Sequence, residues 1–174
     1  NPNRGININE DIMQHRFWLE INSIQPSFNP LTAIISHTEK RNANSKLNAH
    51  KTFAYGQSIQ ARREANTSGY DEALLESTTG EICCGTTANL IVKRNDTYLT
   101  PRLKSGCLPG IMRQQGINLG LFKEANIDIT PQSEDEWLLI NSLNCQPISK
   151  INNNNLKTSI NPTTLWLSLY GLCP

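Results

Sequence analysis

The sequence predicts an α+β fold, and three observations carry that prediction. Short β-branched and aliphatic runs in the middle of the chain are separated by Gly, Asn and Asp turn residues, the pattern of an antiparallel meander. Two segments, Thr52 to about Asn66 and the residues after Asn161-Pro162, have helical spacing. At 174 residues the chain is long enough to bury a real core as one domain.

Composition narrows the function classes. Sixteen basic residues against fifteen acidic ones leave a formal charge of +1, which gives no electrostatic footprint for nucleic acid or an anionic membrane and leaves a small polar or anionic ligand open. No apolar run approaches the ~20 residues needed to cross a bilayer, and NPNRGININEDI lacks a charged-then-apolar leader, so a soluble chain is expected. The five cysteines, at 83, 84, 107, 145 and 173, are odd in number and include an adjacent pair. They show no CxxC spacing and no nearby histidine cluster, which argues against a disulfide framework and a zinc site and predicts a cytoplasmic location with no metal.

Taken in order, the first dozen residues are polar and unpatterned, and a strand-like run at Phe17–Ile21 is followed at once by a loop holding Pro26 and Pro30. Residues 1–22 therefore read as the end of a preceding small domain, and 23–174 as the main one. Leu31–Ser36 is a buried strand, and the polar stretch after it, HTEKRNANSKLNAH, reads as a loop delivering Lys51. From Thr52 to about Asn66 the spacing of Phe53, Ala54, Ile59, Ala61 and Ala65 fits an amphipathic helix with Arg62, Arg63 and Glu64 outward. Lys51 then stands at the start of that helix, where the macrodipole disfavours a merely solubilising cation.

Glu72–Ser77 and Glu81–Val92 are strands joined by the hairpin turn Thr78-Thr79-Gly80. The second breaks at Gly85 and runs through two hydroxyls and an amide, which suits either a backbone passing close to a ligand or an ordinary bulged core strand. Asn95-Asp96 turns into a short strand, Tyr98–Thr100. In Ser105–Phe122, Pro109 is placed for a first helical turn flanked by Gly106 and Gly110. The free N–H groups there outline an anion site, although a plain helix start has the same sequence. Ile127–Ile129 reads as a strand, Ser133–Glu136 as a turn of helix, and Trp137–Leu143 as an apolar strand whose Asn141-Ser142 end needs polar partners. The run Asn152–Asn155 reads as a solvated loop, and Asn161-Pro162 caps an apolar helix through Leu172.

The segments HKTFAYGQSIQARREA, YDEALLESTTGEICCGTTANLIV, LTPRL, GCLPGIMR and LLINSLNCQPI together resemble the class IV aminotransferases, the fold-type IV pyridoxal-phosphate enzymes. Each is weak alone, but all lie in family order over about residues 31–148. The aminodeoxychorismate lyase branch is most similar, through the KT pair, CGTTAN and LPGIMRQ. The resemblance implies the C-terminal cofactor-binding domain of the D-amino-acid aminotransferase-like fold, with antiparallel strands curled into a barrel-like sheet with flanking helices, usually as a homodimer. It implies that Lys51 carries pyridoxal 5'-phosphate covalently and acts as general acid/base, a role that partial burial near a helix start would favour. It also implies that the N–H groups of Ile111 and Met112 after Gly110 hold the phosphate, with Ser142 adding a hydroxyl, and that Thr87 and Ala88 line the ring. Arg113 reads as a structural helix residue, and Tyr55, one position out of family spacing, as core packing.

Two departures from the family pattern matter. Where most members have a glutamate opposite the pyridine nitrogen, this chain has Cys84. A carboxylate beside a pyridinium at 4 Å is worth roughly 4 kcal/mol at an effective dielectric of about 20, whereas an ordinary thiol is mostly neutral at pH 7. The ring nitrogen is then expected unprotonated and the electron sink weaker, which hurts transamination more than an elimination whose product becomes aromatic. The expected function is thus release of pyruvate from 4-amino-4-deoxychorismate to give 4-aminobenzoate for folate synthesis, with Lys51 moving the proton. A branched-chain or D-amino-acid aminotransferase and an inert dimerisation domain are the alternatives. The second departure is that the family's N-terminal domain, which closes over the cofactor, is represented here only near Phe17–Ile21.

Overall fold

The computed structural model describes residues 19–171. Its strands are β1 (Leu31–Arg41), β2 (Glu72–Ser77), β3 (Ile82–Gly85), β4 (Asn89–Arg94), β5 (Thr97–Pro101), β6 (Phe122–Ala125), β7 (Glu136–Ile140), β8 (Cys145–Ile151) and β9 (Asn154–Asn155). Its helices are α1 (Gly56–Thr67), α2 (Ile111–Asn118) and α3 (Pro162–Leu169), with single 3-10 turns at Lys46–Ala49 and Leu103–Ser105.

The strands run β3-β2-β1-β8-β7-β4, and β4 pairs back onto β3, closing a six-stranded barrel; β5 and β6 extend from β4, and β9 pairs with β8. The barrel-like sheet expected from the sequence is present, but it is not wholly antiparallel. β1 runs parallel to both β2 and β8, and β5 parallel to β6. The reason lies in the connections, because α1 spans the crossover from β1 to β2 and a crossover of that length returns a strand in the same direction.

Alternation along the strands separates an interior from two outer faces. All six ring strands contribute to one cluster that includes Ala33, Leu74, Ile82, Leu90, Val92, Trp137, Leu139 and Ile148. On one outer face Ala61 and Ala65 of α1 pack on Ile34, Ala73, Leu75 and the thiols of Cys83, Cys84 and Cys107. On the other, α2 and α3 cover Ile91, Leu138 and Ile140 with Met112, Leu165 and Leu169.

Several expectations are corrected. The strand at Phe17–Ile21 lies partly outside the described residues, and Leu19–Ile21 is in no strand. β1 continues through the polar His37–Arg41, because after a bulge Lys40 and Arg41 pair with Glu76 and Ser77. The helix begins at Gly56, not Thr52, so Phe53 and Ala54 lie before it; Phe53 is 91% exposed and Ile59 is exposed too. The buried face of α1 is instead the small-residue set Ser58, Ala61 and Ala65, which lets the helix approach the sheet closely. Glu81–Val92 is two strands folded against each other, with Cys84 opposite Asn89. Pro109 precedes Gly110, the residue before the first helical turn of α2, and does not lie within it. Ile127–Ile129 forms no strand, although the Ile127 carbonyl accepts from Ile82 N at 2.9 Å. Ser133 and Glu134 form a turn with Glu134 at φ 68°, not a helical turn, and Glu136 already begins β7. The Asn152–Asn155 run forms the tight β8–β9 hairpin, where Asn152 Oδ1 accepts from Ile35 N at 3.2 Å. Asn161 does cap α3, accepting from Thr164 N at 3.0 Å.

The β1 bulge is tied to α1 by Glu64, which had been expected to point outward. Its carboxylate accepts from Ser36 Oγ at 2.6 Å, His37 N at 2.9 Å and Thr38 Oγ1 at 2.8 Å. Burial alone would raise this carboxyl's pKa, but those hydrogen bonds outweigh it and hold the value at about 2, against an ordinary 4.5. Because the folded value is depressed, the contribution to stability is complete above pH 4.5 and is lost as pH falls toward 2. Glu64→Gln is therefore expected to lower the urea midpoint at pH 7 and to differ less from the parent at pH 3; an equal loss at both pH values contradicts the assignment.

Candidate active site

Of the site residues expected from the sequence, Cys84, Thr87, Ala88, Gly110 and Ser142 lie on strand ends and turns at one end of the barrel. Asn89 at the start of β4 lies opposite Cys84 on β3 and Ile140 on β7, so three strands end in one row. Beyond that row run the turn Thr86–Ala88, the turn 141–144 and the glycine turn 106–110. Asn141 Nδ2 donates to Thr87 O at 3.4 Å, joining the first two. Asn89 Nδ2 donates to Leu108 O at 2.8 Å, joining the third. Tyr170 of the α3 C-terminus donates its hydroxyl to Ser142 O at 3.1 Å.

The glycine turn ends at α2. Gly106 has φ 96°, a left-handed conformation that favours glycine, and the 3-10 turn Lys46–Ala49 packs directly on it: a Cβ at Gly106 would lie 3.0 Å from Asn48 Nδ2 and 3.3 Å from Ala43 Cα. Gly110 offers no side chain to cap α2, so the N–H groups of Ile111 and Met112 have no intrahelical partner and no side-chain cap. They form the positive end of a helix whose Met112 is buried and whose Ile111 is 74% exposed. Arg113 is 1% exposed and donates to Pro101 O at 2.8 Å while pairing with Glu124, which fixes α2 to β5 and β6.

Lys51 follows the 3-10 turn by two residues and is exposed. Its segment is thus anchored to Gly106, but the lysine itself stands five residues before α1, not at its start, and the described residues do not bury it. Tyr55 is half-buried and immediately precedes α1. Thr87 and Ser142 are exposed at the rim, and Ala88 packs on the interior cluster. Cys84 is 6% exposed and sits among Ala61, Ala65, Leu75, Cys83 and Cys107. The hydrogen bond with Cys83, and then burial, push the Cys107 thiol well above the ordinary range, which keeps it protonated and unreactive.

One feature of the site was not picked out from the sequence, and one noted there gains a partner. Glu72, 4% exposed, accepts from Thr86 Oγ1 at 2.6 Å and from Arg62 Nε at 3.0 Å, and Arg62 also donates to Thr86. This group, with Glu72 and Thr86 buried and Arg62 half-buried, ties down the turn that carries Thr87 and Ala88. The signal for it was Glu72 in an otherwise apolar strand, which needs a partner when buried. The feature noted from the sequence is the Asn89 amide after the two hydroxyls, whose partner, Leu108 O, the sequence did not give.

The model of the family described as amino-transferase class IV matches residues 12–151. The chain is 40% identical over 63 residues to aminodeoxychorismate lyase of Saccharomyces cerevisiae, covering 33% of this chain and 17% of that protein. It is 37% identical over 76 residues to a probable branched-chain-amino-acid aminotransferase of Aquifex aeolicus, covering 44% and 24% respectively. The structure of a putative 4-amino-4-deoxychorismate lyase from Legionella pneumophila matches with a TM-score of 0.73 at 25% identity, over 86% of this chain and 57% of that one. The chain thus spans little more than half of that structure, and the aligned stretches are a quarter or less of the two curated relatives.

Proposed function

Because the chain belongs to the class IV aminotransferases, a family of pyridoxal-phosphate-dependent enzymes, we propose that it is the cofactor-binding part of a pyridoxal-phosphate enzyme that releases pyruvate from 4-amino-4-deoxychorismate. In this reading residues 23–174 are the cofactor-binding domain, residues 1–22 end a small domain before it, and the product, 4-aminobenzoate, serves folate synthesis in the cytoplasm.

The residues present fit such a cofactor. The N–H groups of Ile111 and Met112 have no side-chain cap, and Gly110 before them leaves room for the Asn89 amide, which a Cβ there would meet at 2.1 Å. When bound, the cofactor supplies an electron sink for negative charge developing beside the substrate nitrogen. Ile111 and Met112 bind its phosphate, with the Ser142 hydroxyl as a further donor. Thr87 and Ala88 bear on the ring, held by Thr86, Glu72 and Arg62. Lys51 would hold the cofactor and would be the group to move the proton at the carbon bearing the substrate amine. A second copy of the chain is expected to cover exposed apolar residues such as Ile111, at 74%, and Phe53, at 91%.

The observation that carries lyase over transaminase is Cys84, a buried thiol among apolar neighbours where a carboxylate would support a charged pyridine. The similarity to the Aquifex aminotransferase supports the second reading, amino-group exchange with a 2-oxo acid. The full chain, supplied with pyridoxal phosphate and 4-amino-4-deoxychorismate, is expected to release pyruvate, detected by coupled reduction with lactate dehydrogenase. Amino transfer to 2-oxoglutarate without pyruvate release favours the aminotransferase. A colourless protein that ignores the cofactor favours an inert dimerisation domain.

A further inference from the structure

We propose that Asn89 is the positioning residue of the phosphate-binding turn. The proposal rests on the cofactor reading above and assigns the discrimination for a phosphorylated over an unphosphorylated ligand to one side-chain amide.

Three observations carry it. Asn89 is a polar residue only 6% exposed, fixed in register between Cys84 on β3 and Ile140 on β7, so its backbone is set by the barrel and not by the turn. Its Nδ2 donates to Leu108 O at 2.8 Å, and the same carbonyl accepts from Gly110 N at 2.8 Å. A carbonyl dipole beside an anion site opposes the anion, and two donors hold this one in a single orientation. Finally, Gly110 has φ −66° and ψ 148°, extended backbone that any residue adopts, so glycine is not required there by conformation. It is required by Asn89, whose Oδ1 would lie 2.1 Å from a Cβ at Gly110, far inside van der Waals contact. The amide therefore sets both the place of the turn and the residue that can precede α2.

The test compares binding of pyridoxal phosphate with binding of pyridoxal, which lacks the phosphate, by absorbance and fluorescence titration. Asn89→Ala is expected to weaken pyridoxal phosphate by about 10-fold, one hydrogen bond's worth, while leaving pyridoxal within about 2-fold. Gly110→Ala is expected to weaken pyridoxal phosphate in the parent by about 10-fold or more, but to add less than about 2-fold to Asn89→Ala, because the oxygen its Cβ meets is gone. Equal losses for both ligands, or additive effects of the two substitutions, overturn the proposal and make Asn89 merely structural. Asn89→Ser gives the same comparison should the alanine variant not fold. A parent protein that binds pyridoxal phosphate no better than pyridoxal overturns this proposal alone; one that binds neither overturns the cofactor reading with it.

Discussion

Lys51→Ala is expected to abolish covalent capture of pyridoxal phosphate and to lower turnover by at least the roughly 10²- to 10⁴-fold that a positioned acid/base contributes. The loss cannot be assigned to unfolding. Lys51 is exposed, outside every helix and strand, and makes no hydrogen bond or ion pair among the described residues, and substitutions at such surface positions usually fall within about 0.5 kcal/mol. Lys46, exposed on the 3-10 turn just before it, provides the control. Lys46→Ala is expected to leave both capture and turnover unchanged, and equal losses at the two positions would point to a general charge effect instead of a single reacting amine.

Trp137→Ala is expected to cost about 3–5 kcal/mol of stability, read as a lower urea midpoint at unchanged slope. Trp137 is 1% exposed and sits in the interior cluster fed by all six ring strands. It lies opposite Val92 on β4 and Ile148 on β8, and its Nε1 donates to Asp135 Oδ2 at 3.4 Å. A closed ring gives β7 hydrogen-bonded neighbours on both sides, so it has little freedom to collapse into the void. Trp137→Phe keeps most of the volume and is expected to cost distinctly less. Because β7 leads directly into the turn that carries Ser142, the alanine variant is also expected to weaken cofactor binding; the phenylalanine variant separates that effect from gross unfolding.

The sequence made legible what depends on local pattern. The β2–β3 hairpin needs Gly80 at φ 93°, Asn95 takes the turn before β5 at φ 54°, and Asn161 accepts from Thr164 N. Each is settled within a few residues. Features set by distant partners were not legible. His37–Arg41 reads as polar loop because its strand character comes from pairing with β2 and from the Glu64 carboxylate. Phe53 and Ile59 read as a buried helix face, but periodicity does not say what covers a residue, and the barrel takes the alanines instead. β8 carries no clear strand signal, because Pro147, which lacks a ladder donor, sits within it opposite Leu138.

At the site the same division holds. Gly106 and Gly110 were picked out by residue type and spacing, Cys84 and the Thr87-Ala88 turn by the family resemblance, and the fold gathers them at one barrel end. What ties those turns together was invisible, because the Asn89–Leu108 bond and the Arg62–Glu72–Thr86 group join residues that only the closure of β3 on β4 and the packing of α1 bring near each other.

Borohydride reduction of the full chain loaded with pyridoxal phosphate, followed by peptide mapping, probes the central claim most directly. The account predicts a single labelled peptide, the one containing Lys51. A label on Lys46, Lys104 or any other lysine, or no label at all, contradicts it.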